Sequence, residues 1–302
     1  MSKWHYGGQA LLEGVMIRGE KVMAIAVRNP KGEIVLHDQE LPGAGRPWTR
    51  WPFLRGLHSL WDTLNLGMRA LNYSANVALG ESEYKVGPAQ MAGVVTVSLL
   101  FGVALFFVTP LLLVRLIEQT VALSWLQVLL EGLVRLAIVL LYFLAITQLP
   151  DIKRVFAYHG AEHKVVNAYE SGASLDVDSV RPFPTAHTRC GTAFLLLVVV
   201  LSIPLFAPLG GLPFAWRLLS RIVLVPVLAG VSYEIMRLGA NYFDRPLVRA
   251  LMAPALLLQR ITAKAPDDGM IEVALAALKR ALERDEETAR ESPGPDTAVP
   301  GV

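Results

Sequence analysis

The sequence predicts a mainly α, polytopic membrane protein with about four transmembrane helices, a small N-terminal β-ribbon and amphipathic cytoplasmic helices. Three observations predict it. Of 302 residues, 53% are hydrophobic and 18% charged, with a mean hydropathy of +0.44. Soluble domains usually carry about a quarter charged residues. Met91–Val114 is 24 residues without a charge, more than the roughly 20 that cross a bilayer core as helix. Three further apolar stretches follow, at about Val121–Leu149, Gly191–Leu209 and Leu218–Leu238.

In chain order, "MSKWHYGGQALLEGVMIRGE" lacks the basic start and apolar run of a signal peptide, so an internal insertion signal is expected. In residues 21–41, "KVMAIAVR" and "EIVLHDQEL" flank the turn formers of "NPKG" and predict a β-ribbon. "LPGAGRPWTRWP" is a Trp- and Arg-bearing connector suited to the headgroup zone. From Phe53 to about Leu79, Phe53, Leu57, Leu60, Trp61, Leu64, Met68, Leu71 and Ala75 form one stripe at helical spacing. That stripe lies either on the membrane surface or on the protein's own core.

The second span carries Glu131 and Arg135 at i,i+4, a pair expected near the interface opposite Pro150. Pro204, Pro208 and Pro226 interrupt the third and fourth spans, where neighbouring helices can accommodate the breaks. "RPLVRALMAPALLLQRIT" is apolar but too short to cross, and predicts an interfacial or re-entrant helix. "DDGMIEVALAALKRALERDEE" predicts an amphipathic helix started by Asp, and the last stretch reads as disordered. The expected domains are thus a cytoplasmic N-terminal region (1–89), a membrane domain (90–238) with a cytoplasmic loop (150–190), cytoplasmic or interfacial helices (239–284) and a tail (285–302).

Orientation follows from the basic residues. Segments 1–89, 150–190 and 237–302 hold 10, 5 and 9 Lys plus Arg, against Arg115, Arg135, Arg217 and Arg221 elsewhere. The short 150–190 loop is the informative one, and it predicts an inner or plasma membrane protein with both termini cytoplasmic. A net charge of +2 is too small to suggest nucleic-acid binding, and the lone Cys190 excludes a disulfide framework within the chain. No Gly-rich phosphate loop is present, because "GGQALLEGVMIRG" does not match the nucleotide-binding spacings. The bilayer, and other membrane proteins, are the expected partners.

The chemistry-bearing stretch is "AYHGAEHKVVNAYE", residues 157–170. Four helical residues turn the chain by about 400°, so His159 and His163 share a face with both imidazoles in reach of one ion. Zinc takes neutral imidazole nitrogen, and a neighbouring glutamate such as Glu162 can deprotonate water activated by the ion. H-x-x-E-H is the inverted zincin order. Its chance occurrence is about a few per cent once alternative motifs are counted.

Catalytic zinc usually has three protein ligands plus water, so two histidines leave the site incomplete. His187 and Cys190, in "HTRCGT", stand where the third span begins. Glu234, in "SYEIMR", stands where the fourth returns. The histidine segment begins about nine residues beyond the second span, so all three places lie at one membrane face. Glu170 shares the histidines' helical face but lies about 10 Å past His163, which suits a supporting or substrate-facing role. Plainer readings stand beside each: Glu162 and His163 as solvated loop groups, Cys190 as a small buried residue, Glu234 as a partner of Arg237 at i,i+3.

"GGQALLEGVMIRG", "YHGAEHKVVNAYE", "HTRCGTAFLLL", "SYEIMR" and "APDDGMIEVALAALK" together resemble, in that order, the bacterial YqhQ-like family, described as predicted metal-dependent membrane enzymes with no settled reaction. The resemblance covers about residues 5–284. It implies that His159, Glu162, His163, His187, Cys190 and Glu234 match the family's polar signature, and it marks Gln9 and Glu13 as site residues. Thr188 departs from the family, where a proline follows the histidine.

Three functions are weighed. A zinc-dependent hydrolase at the cytoplasmic face would act on a membrane peptide or lipid, with Glu162 as base. An assembly or translocation partner would instead carry a closed structural site of His159, His163, His187 and Cys190. A transporter is the weakest, since no inverted repeat is visible.

Overall fold

The computed structural model describes residues 6–41, 51–80, 87–117, 121 and 123–291. Most of the headgroup-zone connector (42–50) and residues 292–302 of the expected tail lie outside the described residues.

The N-terminal region folds as a four-stranded antiparallel meander in the order β1-β2-β3-β4. The strands are β1 (Gly7–Leu11), β2 (Gly14–Arg18), β3 (Val22–Arg28) and β4 (Ile34–Glu40). The expected 21–41 ribbon is β3–β4. Its turn is held by Asn29, whose Oδ1 accepts from Lys31 N (3.0 Å) and Glu33 N (2.9 Å). The sheet also includes β1 and β2, which pair from Gly7↔Arg18 to Leu11↔Gly14. Sequence alternation missed β2 because both faces of the sheet are covered there, so Gly14, Val15, Met16 and Ile17 are all buried, and it missed β1 because Gly7 and Gly8 offer no apolar side chains. On one face, Val15, Ile17, Ala24 and Ala26 pack with α5 (Pro150–Ser171) and α11 (Asp268–Glu291). On the other, Leu11, Met16, Met23, Ile25 and Val27 meet Leu66 and Ala70 of α1 (Leu54–Leu79). The amphipathic helix therefore covers the protein's own sheet, although Trp61 (69%) and Leu64 (48%) remain exposed.

The apolar helices follow the sequence closely. α2 (Pro88–Val103), a π-helical turn (Ala104–Val108) and α3 (Thr109–Arg115) form one stretch, Ala89–Arg115, long and apolar enough to cross a membrane. Trp125–Ile146 of α4 (Ser124–Ile146) is the second. Gly191–Leu209, comprising α7 (Gly191–Phe206) and a 3-10 turn, is the third. After a short α6 (Val177–Val180), the expected fourth span, interrupted by Pro226, is a bent pair of helices. α8 (Phe214–Val223) and α9 (Val225–Asn241) meet at 47° and qualify only as a pair. Pro226 has no N–H for the carbonyl one turn earlier, which accounts for a break at this point. The described residues thus hold three candidate spans, or four with the bent pair counted as one.

Glu131 and Arg135 do pair (2.7 Å), but inside the helix bundle. Arg221 of α8 binds the same carboxylate through Nε (2.9 Å) and Nη2 (2.6 Å), and all three side chains are buried. α10 (Pro246–Thr262) turns Met252, Ala255, Leu258 and Gln259 inward and leaves Leu247 and Leu251 exposed. α11 extends to Glu291, so the expected disorder from residue 285 is corrected to helix as far as that residue. Asp285 is the reason: it accepts from Tyr6 Oη and from the N–H groups of Glu20, Lys21 and Val22, pinning α11 to the β2–β3 turn.

Candidate metal centre

Pro150 starts α5 four residues after α4 ends, so the histidine helix grows from the end of the second span. Proline suits a first helical turn, where its missing N–H is not needed. His159 and His163 then fall one turn apart with ring centroids 4.3 Å apart. Gly160 between them lets α5 approach the chain after α10 closely, since a Cβ there would overlap the Lys264 carbonyl oxygen.

Main-chain carbonyls fix both rings. His159 Nδ1 lies 2.7 Å from Thr262 O at the end of α10, and His163 Nδ1 lies 2.5 Å from Thr185 O. A carbonyl can only accept, so each Nδ1 carries the hydrogen, and in the neutral ring Nε2 is then the nitrogen that holds the lone pair. His159 Nε2 is 3.3 Å from Cys190 Sγ. Cys190 caps the N-terminus of α7, where its sulfur accepts from Thr192 N (3.4 Å) and lies 3.0 Å from Thr192 Oγ1. One ligand atom each from His159, His163 and Cys190 lies within 4.8 Å of the others.

Glu162 is buried beside this group, its Oε2 3.6 Å from His163 Nε2. Its other flank meets β1, because a Cβ on Gly8 would stand 2.5 Å from Glu162 Cγ and 2.8 Å from Oε1. His187 is adjacent but distinct. Its ring centroid is 5.6 Å from that of His163, while its Nε2 lies 3.4 Å from Glu170 Oε2. Burial lowers the His187 pKa, favouring the neutral ring, against the opposing pull of Glu162. Glu170 also binds the Arg189 guanidinium, so it organises the 184–189 loop. A cavity of about 330 Å³ opens on this side, between His187 and Glu170 and the apolar Phe243 and Leu256.

Three sequence-nominated residues sit elsewhere. Glu234 binds Arg55 of α1 through Nε (2.8 Å) and Nη2 and accepts from Phe53 N (3.1 Å), so it serves α1–α9 packing instead of the histidine group. Gln9 points to the opposite side of β1 from Gly8, its amide against Gly67 of α1. Glu13, at φ 52 in the β1–β2 turn, binds Arg154 through Nε (2.6 Å) and Nη2, and accepts from Tyr158 Oη (3.3 Å). It joins the sheet to the first half of α5, at Arg154 more than a turn before His159 and at Tyr158 next to it.

Sequence reasoning missed Gln259 and Thr262. Their signal was present: they are the polar residues on the otherwise apolar buried face of α10. Thr185 and Gly8 carried none, because one acts through its carbonyl and the other through the side chain it lacks.

The chain matches the family model described as "Protein of unknown function (DUF1385)" over residues 51–284. It is 32% identical over 294 residues to "Uncharacterized protein YqhQ" of Bacillus subtilis (strain 168), with 92% of each chain covered. No solved structure matches.

Proposed function

Since the chain belongs to the DUF1385 family, whose description assigns no reaction, we propose a function from the site's own chemistry: a zinc-dependent hydrolase at the cytoplasmic face of the membrane. One observation carries the reading. Two imidazoles have their Nδ1–H groups tied to main-chain carbonyls, the Nε2 of His159 lies 3.3 Å from Cys190 Sγ, and one ligand atom each from His159, His163 and Cys190 falls within 4.8 Å of the others. Metal-binding histidines characteristically donate their second nitrogen to such a carbonyl, which fixes ring and tautomer. Two imidazoles and a thiolate suit zinc, and three protein ligands leave the fourth position that chemistry requires.

A zinc ion held there would supply Lewis-acid polarisation of a carbonyl and make water easier to deprotonate. The chain's own groups do the rest. Glu162 takes the proton of the attacking water and returns it to the leaving nitrogen or oxygen, while the hydroxyl ends on the carbonyl carbon. The Gly8 backbone and α5 shield Glu162 on one flank. A closed structural site would need His187 as fourth ligand, and its Nε2 is engaged with Glu170 instead. The excess of Lys and Arg in 1–89, 150–190 and 237–302 supports a multi-pass topology with both termini cytoplasmic, in a bacterial inner membrane. A site beside the ends of apolar helices favours a membrane peptide or lipid as substrate.

The test is metal analysis of detergent-purified protein. Wild type should carry about one zinc per chain, Glu162→Gln should keep it, and His163→Ala should lose it. In a deletion strain, Glu162→Gln should fail to complement. Metal-free wild type, or full complementation by Glu162→Gln, overturns the reading.

A further inference from the structure

The edge of the sheet leads directly to Glu162. β1 is an edge strand, and Gly7 and Gly8 are exposed. The direction of its main-chain groups follows from the ladder. Arg28 N donates to Glu13 O (2.8 Å) across β2–β3. Glu13 therefore faces β3, and Val15 and Ile17 do the same by alternation, which leaves Gly14, Met16 and Arg18 to bond β1. Their partners are Leu11, Gln9 and Gly7. The N–H and C=O of Gly8 and Ala10 accordingly point away from the sheet. Among the described residues no hydrogen bond from another element reaches them.

Exposed edges are usually blunted by charge, proline or a covering helix, because they template strand addition. β1 has none of these among its own residues, "GGQAL". Gly7 and Gly8 put no side chain over either face of the strand at this edge. At Gly8 this bare edge touches the Glu162 carboxylate, which stands 3.6 Å from His163 Nε2.

We propose that the β1 edge is the substrate-binding strand of this site: an extended polypeptide segment adds to it through the outward main-chain groups of Gly8 and Ala10, bringing one of its amides beside Glu162. The inference rests on the hydrolase reading and narrows its substrate class from peptide or lipid to an extended peptide. Recognition is then mainly through the main chain, as in strand addition generally, with limited sequence preference. A glycine at position 8 is required by Glu162, whose Cγ would stand 2.5 Å from a Cβ there.

The test uses full-length protein carrying Glu162→Gln in detergent, loaded with zinc. The probe is a fluorescein-labelled pool of randomised nonapeptides, in ordinary and N-methylated forms. The ordinary pool should bind by anisotropy and slow hydrogen exchange over residues 6–11, while the N-methylated pool should do neither. Ala10→Pro removes one outward N–H that the ladder does not use, a substitution edge strands accept. It should keep its zinc and bind about fivefold to tenfold more weakly. Equal binding of both pools, or no protection at residues 6–11 in protein that holds zinc, overturns the edge proposal and leaves the hydrolase reading standing. Failure to hold zinc instead counts against the hydrolase reading. The N-methylated pool decides the matter should Ala10→Pro misfold.

Discussion

Gln259 grips the backbone of His187 from both sides: its Oε1 accepts from His187 N at 2.8 Å, and its Nε2 donates to His187 O at 2.9 Å. Both residues are buried. A single side-chain amide thus does for the 184–189 loop what a neighbouring strand would do, and it comes from the same turn of α10 that holds His159 through Thr262 O. Replacing it with leucine leaves a buried N–H and C=O unsatisfied. Gln259→Leu should lower stability by about 2–4 kcal/mol and raise hydrogen exchange across 184–189. Thermal unfolding in detergent and exchange of that peptide check both parts.

Gly160 gives a second handle on the same region. A methyl group there would strike the Lys264 carbonyl, whose position is backbone and cannot rotate away. Lys264 N in turn donates to Phe156 O at 2.8 Å, so the segment after α10 is tied to α5 one turn before Gly160. Gly160→Ala should push this segment outward, at about 1–3 kcal/mol, and draw Thr262 O off His159. On the hydrolase reading, zinc affinity should then fall although His159, His163 and Cys190 all remain. An unchanged affinity would show that the Thr262 contact does not set the ring.

How much of this was legible in the sequence depends on the range of the interaction. The H-x-x-E-H spacing is local, so helix periodicity alone placed His159 and His163 on one face. Cys190 could be brought near them because an apolar run beginning at Gly191 fixes where the third span starts. Glu234 shows the limit of that reasoning. Topology set it at a membrane edge, but a carboxylate goes to the best-placed cation, and Arg55 on α1 is 179 residues away in sequence. β2 escaped notice because burial on both faces erases the period-two signal, and β1 because its glycines carry no apolar side chain to alternate. The break in the fourth span was visible as Pro226, whereas its 47° angle comes from packing.

Glu13 makes the sheet's attachment to α5 sensitive to acid. The Arg154 guanidinium bound to it holds its carboxyl below the ordinary value of 4.5, and the bond from Tyr158 acts in the same sense against burial. A depressed folded pKa contributes stability above the unfolded value, and that contribution is lost as pH falls through the folded one. Wild type should therefore lose stability below about pH 4.5 more steeply than Glu13→Gln. Tyr158, pushed up to about 12 by burial and by Glu13, has the opposite sign. Its share is present below pH about 10 and lost as pH rises toward the folded value. Unfolding midpoints of wild type, Glu13→Gln and Tyr158→Phe across both limbs separate the two groups.

The buried knot at Glu131 predicts the largest single effect. One carboxylate serves Arg135 of its own helix and Arg221 of α8, and the two arginines are at most 1% exposed. Arg135 further donates to Phe106 O (2.8 Å) and Ser202 Oγ (2.5 Å), so α4, α7, α8 and the π-helical turn meet at this point. Removing one partner of a buried ion pair leaves an uncompensated charge, which costs about 3–5 kcal/mol. Glu131→Ala strands two guanidinium groups and should lower the unfolding midpoint more than Arg221→Ala, after which the carboxylate still has Arg135. Replacing Glu131 and Arg221 together with methionine should recover at least half of the Glu131→Ala loss, because a well-packed apolar pair can stand in for a buried ionic one. The residual deficit then reports Arg135, which keeps Ser202, the Phe106 carbonyl and the faces of Phe107 and Phe206. If Glu131→Ala and the double variant unfold alike, the Arg221 bond does not hold α8 in place, and packing of the bent pair alone sets its position.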